Sequence, residues 1–305
     1  MNRPFLVLKD CKVEGKIIKV VRDDLFPFIG GGSKARKAVE YEEYLKENGY
    51  NAVVTCGGIQ SNHNRAIALM AARNGWKCYL CIQGSTERFM AEKGNALLDR
   101  LSGAEYELIS PENTAEAMDR AMGTLKKQGL NPYYIHGGGH DLPGGTSFVK
   151  AVQELKRQCD AEGYKPDCIF HASGTGSTQA GIVVGLELVG WSDVKVIGIS
   201  VARQYERGRQ VIADFANMLG QHYGLENDFT GRISFVTDYL YGGYEQYTPE
   251  MKDYLEQVMR ETGIMFDTTY SGKAFYGMMD YVKKNCIYDK NVLFWHTGGL
   301  MNLMK

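Results

Sequence analysis

Apolar positions along this chain follow two alternating rhythms. Short apolar runs of strand length recur at 16–21, 51–56, 77–82, 105–109, 133–136, 168–172, 194–201, 235–240, 264–267 and 291–295. Between most of them apolar residues return every three or four positions. That spacing predicts helices over 36–48, 62–74, 91–101, 114–127, 145–161, 177–189 and 204–221. Gly49, Gly75 and Gly129 close three of these helices. Strands alternating with helices predict an α/β protein whose parallel sheets are covered on both faces. Two glycine clusters, Gly137-Gly138-Gly139-His140 and Gly144-Gly145, mark a crossing between domains. A small α/β domain is therefore expected over 37–140, and a larger one combining 1–36 with 141–305. Each is expected to hold an open, mostly parallel sheet.

Composition narrows the classes of function. The chain has 305 residues, a hydrophobic content of 44%, a charged content of 23% and a formal net charge of -1. That balance leaves no basic footprint for nucleic acid or an anionic membrane surface. No apolar run has the length of a membrane-crossing helix. The opening Met1-Asn2-Arg3-Pro4 carries no apolar signal segment, and seven cysteines are an odd number. Both point to reduced thiols and a cytoplasmic location. Cys78 and Cys81 have CxxC spacing, but on a strand positions three apart face opposite ways, so buried structural thiols are expected rather than a metal or redox pair.

Several stretches at predicted strand ends carry candidate chemistry. Ile29-Gly30-Gly31-Gly32-Ser33-Lys34-Ala35-Arg36-Lys37 links a strand to a helix and places Lys34 near a helix N-terminus. Taken alone, it reads equally well as a solvated basic turn. Gly57-Gly58-Ile59-Gln60-Ser61-Asn62-His63-Asn64-Arg65 also opens a helix. Ser61 or Asn62 can cap it, while three polar side chains in a row also suit the binding of a carboxylate. Ser173-Gly174-Thr175-Gly176-Ser177-Thr178 follows the strand at 168–172 and combines small residues with hydroxyls. It is neither a Walker loop nor G-x-G-x-x-G, and it suits a small phosphate monoester. Polar and glycine residues at Tyr241-Gly242-Gly243-Tyr244, Thr269-Tyr270-Ser271-Gly272-Lys273 and His296-Thr297-Gly298-Gly299 stand beyond late strands, where an open sheet places its ligand.

A lysine in a glycine turn, a phosphate cup and a Ser-Asn helix start are jointly what a pyridoxal 5′-phosphate enzyme needs. The sequence resembles the 1-aminocyclopropane-1-carboxylate deaminase/D-cysteine desulfhydrase family, of the tryptophan-synthase-β (type II) fold. The family's G-G-N-K-T-R-K is matched by Gly31 to Lys37, with Ser33 for Asn and Ala35 for Thr. Its S-N-H-x-R is matched by Ser61 to Arg65 and its T-G-S-T by Thr175 to Thr178. Its G-Y is matched by Gly243-Tyr244, its Y-x-G-K by Tyr270 to Lys273, and its H-x-G-G by His296 to Gly299. The resemblance implies that Lys34 is the Schiff-base lysine and proton shuttle. It implies that Lys37, Gly174, Thr175, Gly176, Ser177 and Thr178 hold the cofactor phosphate and that Asn62 holds the ring hydroxyl. Ser61, with Asn62, His63 and Thr297, would bind the substrate, Tyr244 and Tyr270 would border the reacting carbon, and Ser271 would lie beside the pyridine nitrogen. A homodimer acting on a small amino acid is implied as well.

Two positions separate the family's branches. The deaminases place Glu after the Tyr of Y-x-G-K and Leu within H-x-G-G, whereas the desulfhydrases place Thr at both. Here they are Ser271 and Thr297, which implies α,β-elimination from an amino acid with a β leaving group, D-cysteine foremost. D-serine, β-chloroalanine, cysteate and opening of the aminocyclopropane ring stay open, as does a non-catalytic small-molecule binder on the same scaffold. His136 where the family has Pro, Glu245 where it has Gly, and a short N-terminal segment depart from the pattern.

Overall fold

A computed structural model describes residues 6–28 and 30–305. Ile29 of the glycine turn and the opening Met1 to Pro4 lie outside the described residues. The strands are Leu8–Val13 (β1), Lys16–Arg22 (β2), Ala52–Gly58 (β3), Lys77–Gln83 (β4), Glu105–Ile109 (β5), Pro132–Tyr134 (β6), Cys168–Ser173 (β7), Lys195–Ser200 (β8), Ser234–Val236 (β9) and Val292–His296 (β10). The helices are Gly32–Glu47 (α1), Asn62–Arg73 (α2), Thr86–Ala91 (α3), Gly94–Leu101 (α4), Thr114–Lys127 (α5), Leu142–Ala161 (α6), Ser177–Leu188 (α7), Tyr205–His222 (α8), Pro249–Thr262 (α9) and Ser271–Lys284 (α10). They form an α/β architecture of two open sheets. The chain divides into one compact unit made of residues up to Ser33 with Gly145–Leu300, and a second made of Lys34–Gly144 with Met301–Lys305.

The first unit contains a six-stranded sheet in the order β1-β2-β10-β7-β8-β9. All its pairings are parallel except β1 with β2. That antiparallel pair turns through Glu14 and Gly15, both at positive φ (50° and 78°), as a two-residue hairpin requires. Cys11, Val13, Ile18 and Val20 face one core together with Phe170, Ile199, Phe275 and Phe294. The second unit holds a wholly parallel sheet in the order β5-β4-β3-β6. Residues 52–56 of β3 are buried without alternation, as a central strand covered on both faces must be. All seven cysteines are unpaired, and Cys78 and Cys81 are both buried. Burial pushes the Cys81 thiol up to about 12, so it carries no thiolate at neutral pH.

Three predicted elements differ. The run at 235–240 pairs only as Ser234–Val236, because the chain turns at Leu240 and the Lys273 amine takes the Leu240 carbonyl at 3.0 Å. Residues 264–267 join no sheet. The Met265 carbonyl accepts from the His296 ring at 2.8 Å, and Asp267 gathers the N–H groups that follow it. The helix expected over 91–101 breaks at Lys93, where Gln60 takes the Lys93 carbonyl at 2.9 Å and receives the Asn95 N–H at 3.0 Å. In a parallel sheet all strands end on one edge, and the candidate segments of each unit stand there. Gly174 to Thr178 follow β7 and Thr297 to Gly299 follow its neighbour β10. In the second unit, residues 59–64 follow β3, and 135–139 follow its neighbour β6.

Candidate active site

In the second unit Lys34 projects from the first turn of α1, with Lys37 one turn on. Both amines donate to the Gly138 carbonyl, at 2.9 and 3.0 Å. Burial lowers the Lys34 amine to about 8 and holds Lys37 well below the ordinary lysine range, the Lys34 charge adding to the latter effect. A lysine in water is almost wholly protonated at neutral pH, so the shift makes a nucleophilic amine available. The Gly138 carbonyl of the glycine run thus serves as an acceptor for two amines. Tyr41 bonds Asp141 beside it, and sequence reasoning passed over both residues.

His63 lies on the first turn of α2 and is buried. Thr55 Oγ1 donates its one proton to the Ile135 carbonyl at 2.9 Å, so it must accept from His63 Nε2, also at 2.9 Å. The proton therefore sits on Nε2. Nδ1 is a buried acceptor without a hydrogen-bond partner among the described residues. Burial, then the charges of Lys34 and Lys37, keep the ring's pKa well below the usual histidine value, so the imidazole is neutral. Ser61 caps α2, accepting from the Asn64 N–H at 3.1 Å, and its hydroxyl proton is still free to donate. Asn62 turns its side-chain oxygen to Asn95 Nδ2 at 3.0 Å.

In the first unit the chain leaves β7 through Gly174, Thr175 and Gly176 and enters α7 at Ser177. Gly176 has φ +101°, and a Cβ built on it would come within 2.7 Å of Ile212 Cγ1. No side chain caps α7, so the positive end of a 12-residue helix faces a turn of small residues. That combination fits a phosphate monoester. Gln179 steadies this start: Ser173 donates to its Oε1 at 3.0 Å, and its Nε2 donates to the Ser234 carbonyl at 2.7 Å. Ser33 N–H donates to the Thr297 carbonyl at 2.9 Å, which brings the residue before Lys34 against the H-x-G-G segment.

The remaining candidates of this unit meet at the start of α10. Tyr244 and Tyr270 share a hydroxyl–hydroxyl bond, and burial with the Tyr244 contact holds Tyr270 well above the usual phenol range. The loop carrying Tyr244 is tethered by buried Lys273, whose amine donates to the Gly243 carbonyl at 2.8 Å as well as to Leu240. Glu245, at φ +64°, occupies the left-handed region that favours glycine. Ser271 Oγ donates to Asp267 Oδ1 at 2.7 Å, and the same carboxylate accepts the N–H groups of Thr269, Tyr270 and Ser271 at 2.8 to 3.0 Å. Asp267 and Lys273 do no visible work in the sequence beyond a strand end and a motif match, yet they position this cluster. His136 is exposed and packs on Tyr134, ring centres 4.9 Å apart.

Comparison with known proteins shows the family. The family described as "Pyridoxal-phosphate dependent enzyme" matches residues 9–298. A Thermotoga maritima protein provisionally named 1-aminocyclopropane-1-carboxylate deaminase is 36% identical over 296 residues, covering 94% of this chain and 89% of that one. The D-cysteine desulfhydrase of Salmonella newport is 32% identical over 291 residues, covering 93% and 87%. A crystal structure of an "ACC deaminase homologue" superposes with a TM-score of 0.87 at 29% identity, covering 99% of this chain and 94% of that one.

Proposed function

The chain belongs to the pyridoxal-phosphate dependent enzymes, within the group of 1-aminocyclopropane-1-carboxylate deaminases and D-cysteine desulfhydrases, and on that premise we propose that it is a lyase performing α,β-elimination on a small amino acid, D-cysteine foremost. D-cysteine and one water would give pyruvate, ammonia and sulfide. The observation that carries the choice of branch is Ser271. Its side chain offers a hydroxyl where the deaminases carry Glu, and the carboxylate against it, Asp267, is taken up by four donors. Ser271 also begins α10, whose positive end disfavours a proton on a neighbouring ring nitrogen. A weaker electron sink suffices where the β-substituent leaves readily, and it serves an unactivated ring poorly.

Bound pyridoxal phosphate supplies the electron sink for charge developing at the substrate α-carbon. On this reading Gly174 to Thr178, with Lys37, hold its phosphate, and Asn62 donates to its ring oxygen. Lys34 anchors it and then removes the α-proton at Nζ, a role suited to an amine lowered to about 8. Ser61, His63 and Thr297 orient the substrate carboxylate, and Tyr244 and Tyr270 border the reacting carbon. The names of relatives such as the Thermotoga maritima protein favour a second reading, opening of 1-aminocyclopropane-1-carboxylate. A panel of D- and L-amino acids together with aminocyclopropane carboxylate, assayed for keto acid and ammonia, separates the two. D-cysteine is expected to turn over fastest. Faster ring opening, or no keto acid from any amino acid, overturns the assignment.

A further inference from the structure

We propose that Asn95 and Asn302, the latter in the last turn of the chain, are positioning residues that fix the side-chain amide of Asn62 with its nitrogen facing away from them as a hydrogen-bond donor. The inference rests on the reading that Asn62 serves the ring oxygen of pyridoxal phosphate. All the residues involved belong to the second unit.

The argument starts from a backbone carbonyl, which can only accept. Asn95 places an amide atom 3.1 Å from the Gln60 carbonyl, so that atom is nitrogen. The same nitrogen lies 3.0 Å from the Asn62 amide and 2.7 Å from the Asn302 amide. Each of those two must therefore present oxygen to it. Arg65 Nη1, a donor without acceptor capacity, stands 3.4 Å from the same Asn62 atom and excludes the opposite assignment independently. With its oxygen engaged by two donors, Asn62 offers only N–H on its other side, and the partner it recognises must be an acceptor.

Asn95 is held in turn by its surroundings. It is fully buried, its N–H donates to Gln60 Oε1 at 3.0 Å, and Gln60 is pinned by the Lys93 carbonyl. The chain end packs against this point: a Cβ on Gly94 would lie 2.6 Å from the Met301 carbonyl. Asn302 is buried as well, and its oxygen is a third acceptor sharing the two protons of Asn95. Without it, the Asn95 amide loses its shortest bond and is aimed only by the longer contacts to the Gln60 carbonyl and the Asn62 oxygen, so its direction shifts and the Asn62 amide shifts with it.

The test compares Asn62→Ala, Asn302→Ala and Asn302→Asp by two readouts: the affinity of the apoprotein for pyridoxal phosphate, and the midpoint pH at which the visible absorbance of the bound cofactor changes. An amide N–H donated to the ring oxygen favours its ionised form, so losing it raises the midpoint. Asn302→Ala should move it upward by ~0.5–1 unit, in the same direction as Asn62→Ala, and weaken binding several-fold. Asn302→Asp keeps an accepting oxygen and should restore the original values. A chain ended after Met301 should reproduce Asn302→Ala, which covers the case in which that variant folds poorly. If Asn62→Ala shifts both readouts while Asn302→Ala and the shortened chain shift neither, the positioning role is overturned and the reading of Asn62 stands. If Asn62→Ala leaves both unchanged, that reading falls and takes this inference with it.

Discussion

Gly176→Ala isolates the phosphate cup from the rest of the site. The residue sits at φ +101°, ψ -21°, outside the wells open to an L side chain, and leaving a favoured region costs about 1–2 kcal/mol. The new Cβ would also fall 2.7 Å from Ile212 Cγ1. Ile212 is fully buried and that carbon is not its free end, so relief requires a rotamer change or a shift of α8, about 1–2 kcal/mol more. The sum, about 2–4 kcal/mol, is met most readily by moving the Gly174 to Thr178 turn, which has no strand neighbour beyond Ser173. A moved turn no longer directs the first N–H groups of α7 at one centre. If the whole cost appears in binding, affinity for pyridoxal phosphate falls by about 30- to 900-fold. Titration of apoprotein by absorbance measures it. The double variant with Ile212→Ala removes the contact but not the backbone strain, and should recover roughly half of the loss on a logarithmic scale. Unchanged affinity in Gly176→Ala would show that the cup does not hold the phosphate.

Four further outcomes follow from the same geometry. Borohydride reduction of the yellow holoprotein should fix the cofactor on Lys34; a label on Lys37, detected by peptide mass spectrometry, refutes the assignment. Because burial lowers Lys34 and Lys273 to about 8, the unfolded chain binds more protons than the folded one between that pH and the ordinary lysine value near 10.4, so these two amines should make the apoprotein gain stability as pH rises across that window; urea midpoints that fall there in the wild type but not in Lys273→Met contradict the sign. Lys273→Met should also leave the carbonyls of Leu240 and Gly243 without their donor, at about 1.5–3 kcal/mol, lowering kcat more than cofactor affinity by loosening the Tyr244 loop. Asp267→Ala should strip the start of α10 of its acceptor and cost about 2 kcal/mol or more in stability, and a thermal midpoint equal to wild type would remove Asp267 from the positioning of Ser271.

What the sequence determined by itself was whatever depends on local rhythm. Buried parallel strands read as continuous apolar runs, and helices as a three-to-four spacing, so β3, β4, β5, β7, α2, α5 and α7 lie within a residue or two of where the pattern puts them. Glycine turns and short polar motifs also survive in one dimension, because backbone freedom and helix capping are decided by immediate neighbours. Tertiary structure decided what depends on partners far along the chain. Residues 264–267 are as strand-like as 291–295, but only the latter find neighbours on both sides, in β2 and β7. The helix over 91–101 breaks because Gln60, more than thirty positions away, supplies the missing hydrogen bonds. The β1–β2 hairpin rests on a Glu-Gly turn too weak to stand out as a signal. The same division runs through the site. Lys34, Ser61 and the Gly174 to Thr178 cup are legible as residue types at strand ends. The proton on His63 Nε2, the amines of Lys34 and Lys37 on one carbonyl, and the amide of Asn62 turned by Asn95 and Asn302 are set by distances that no spacing along the chain encodes.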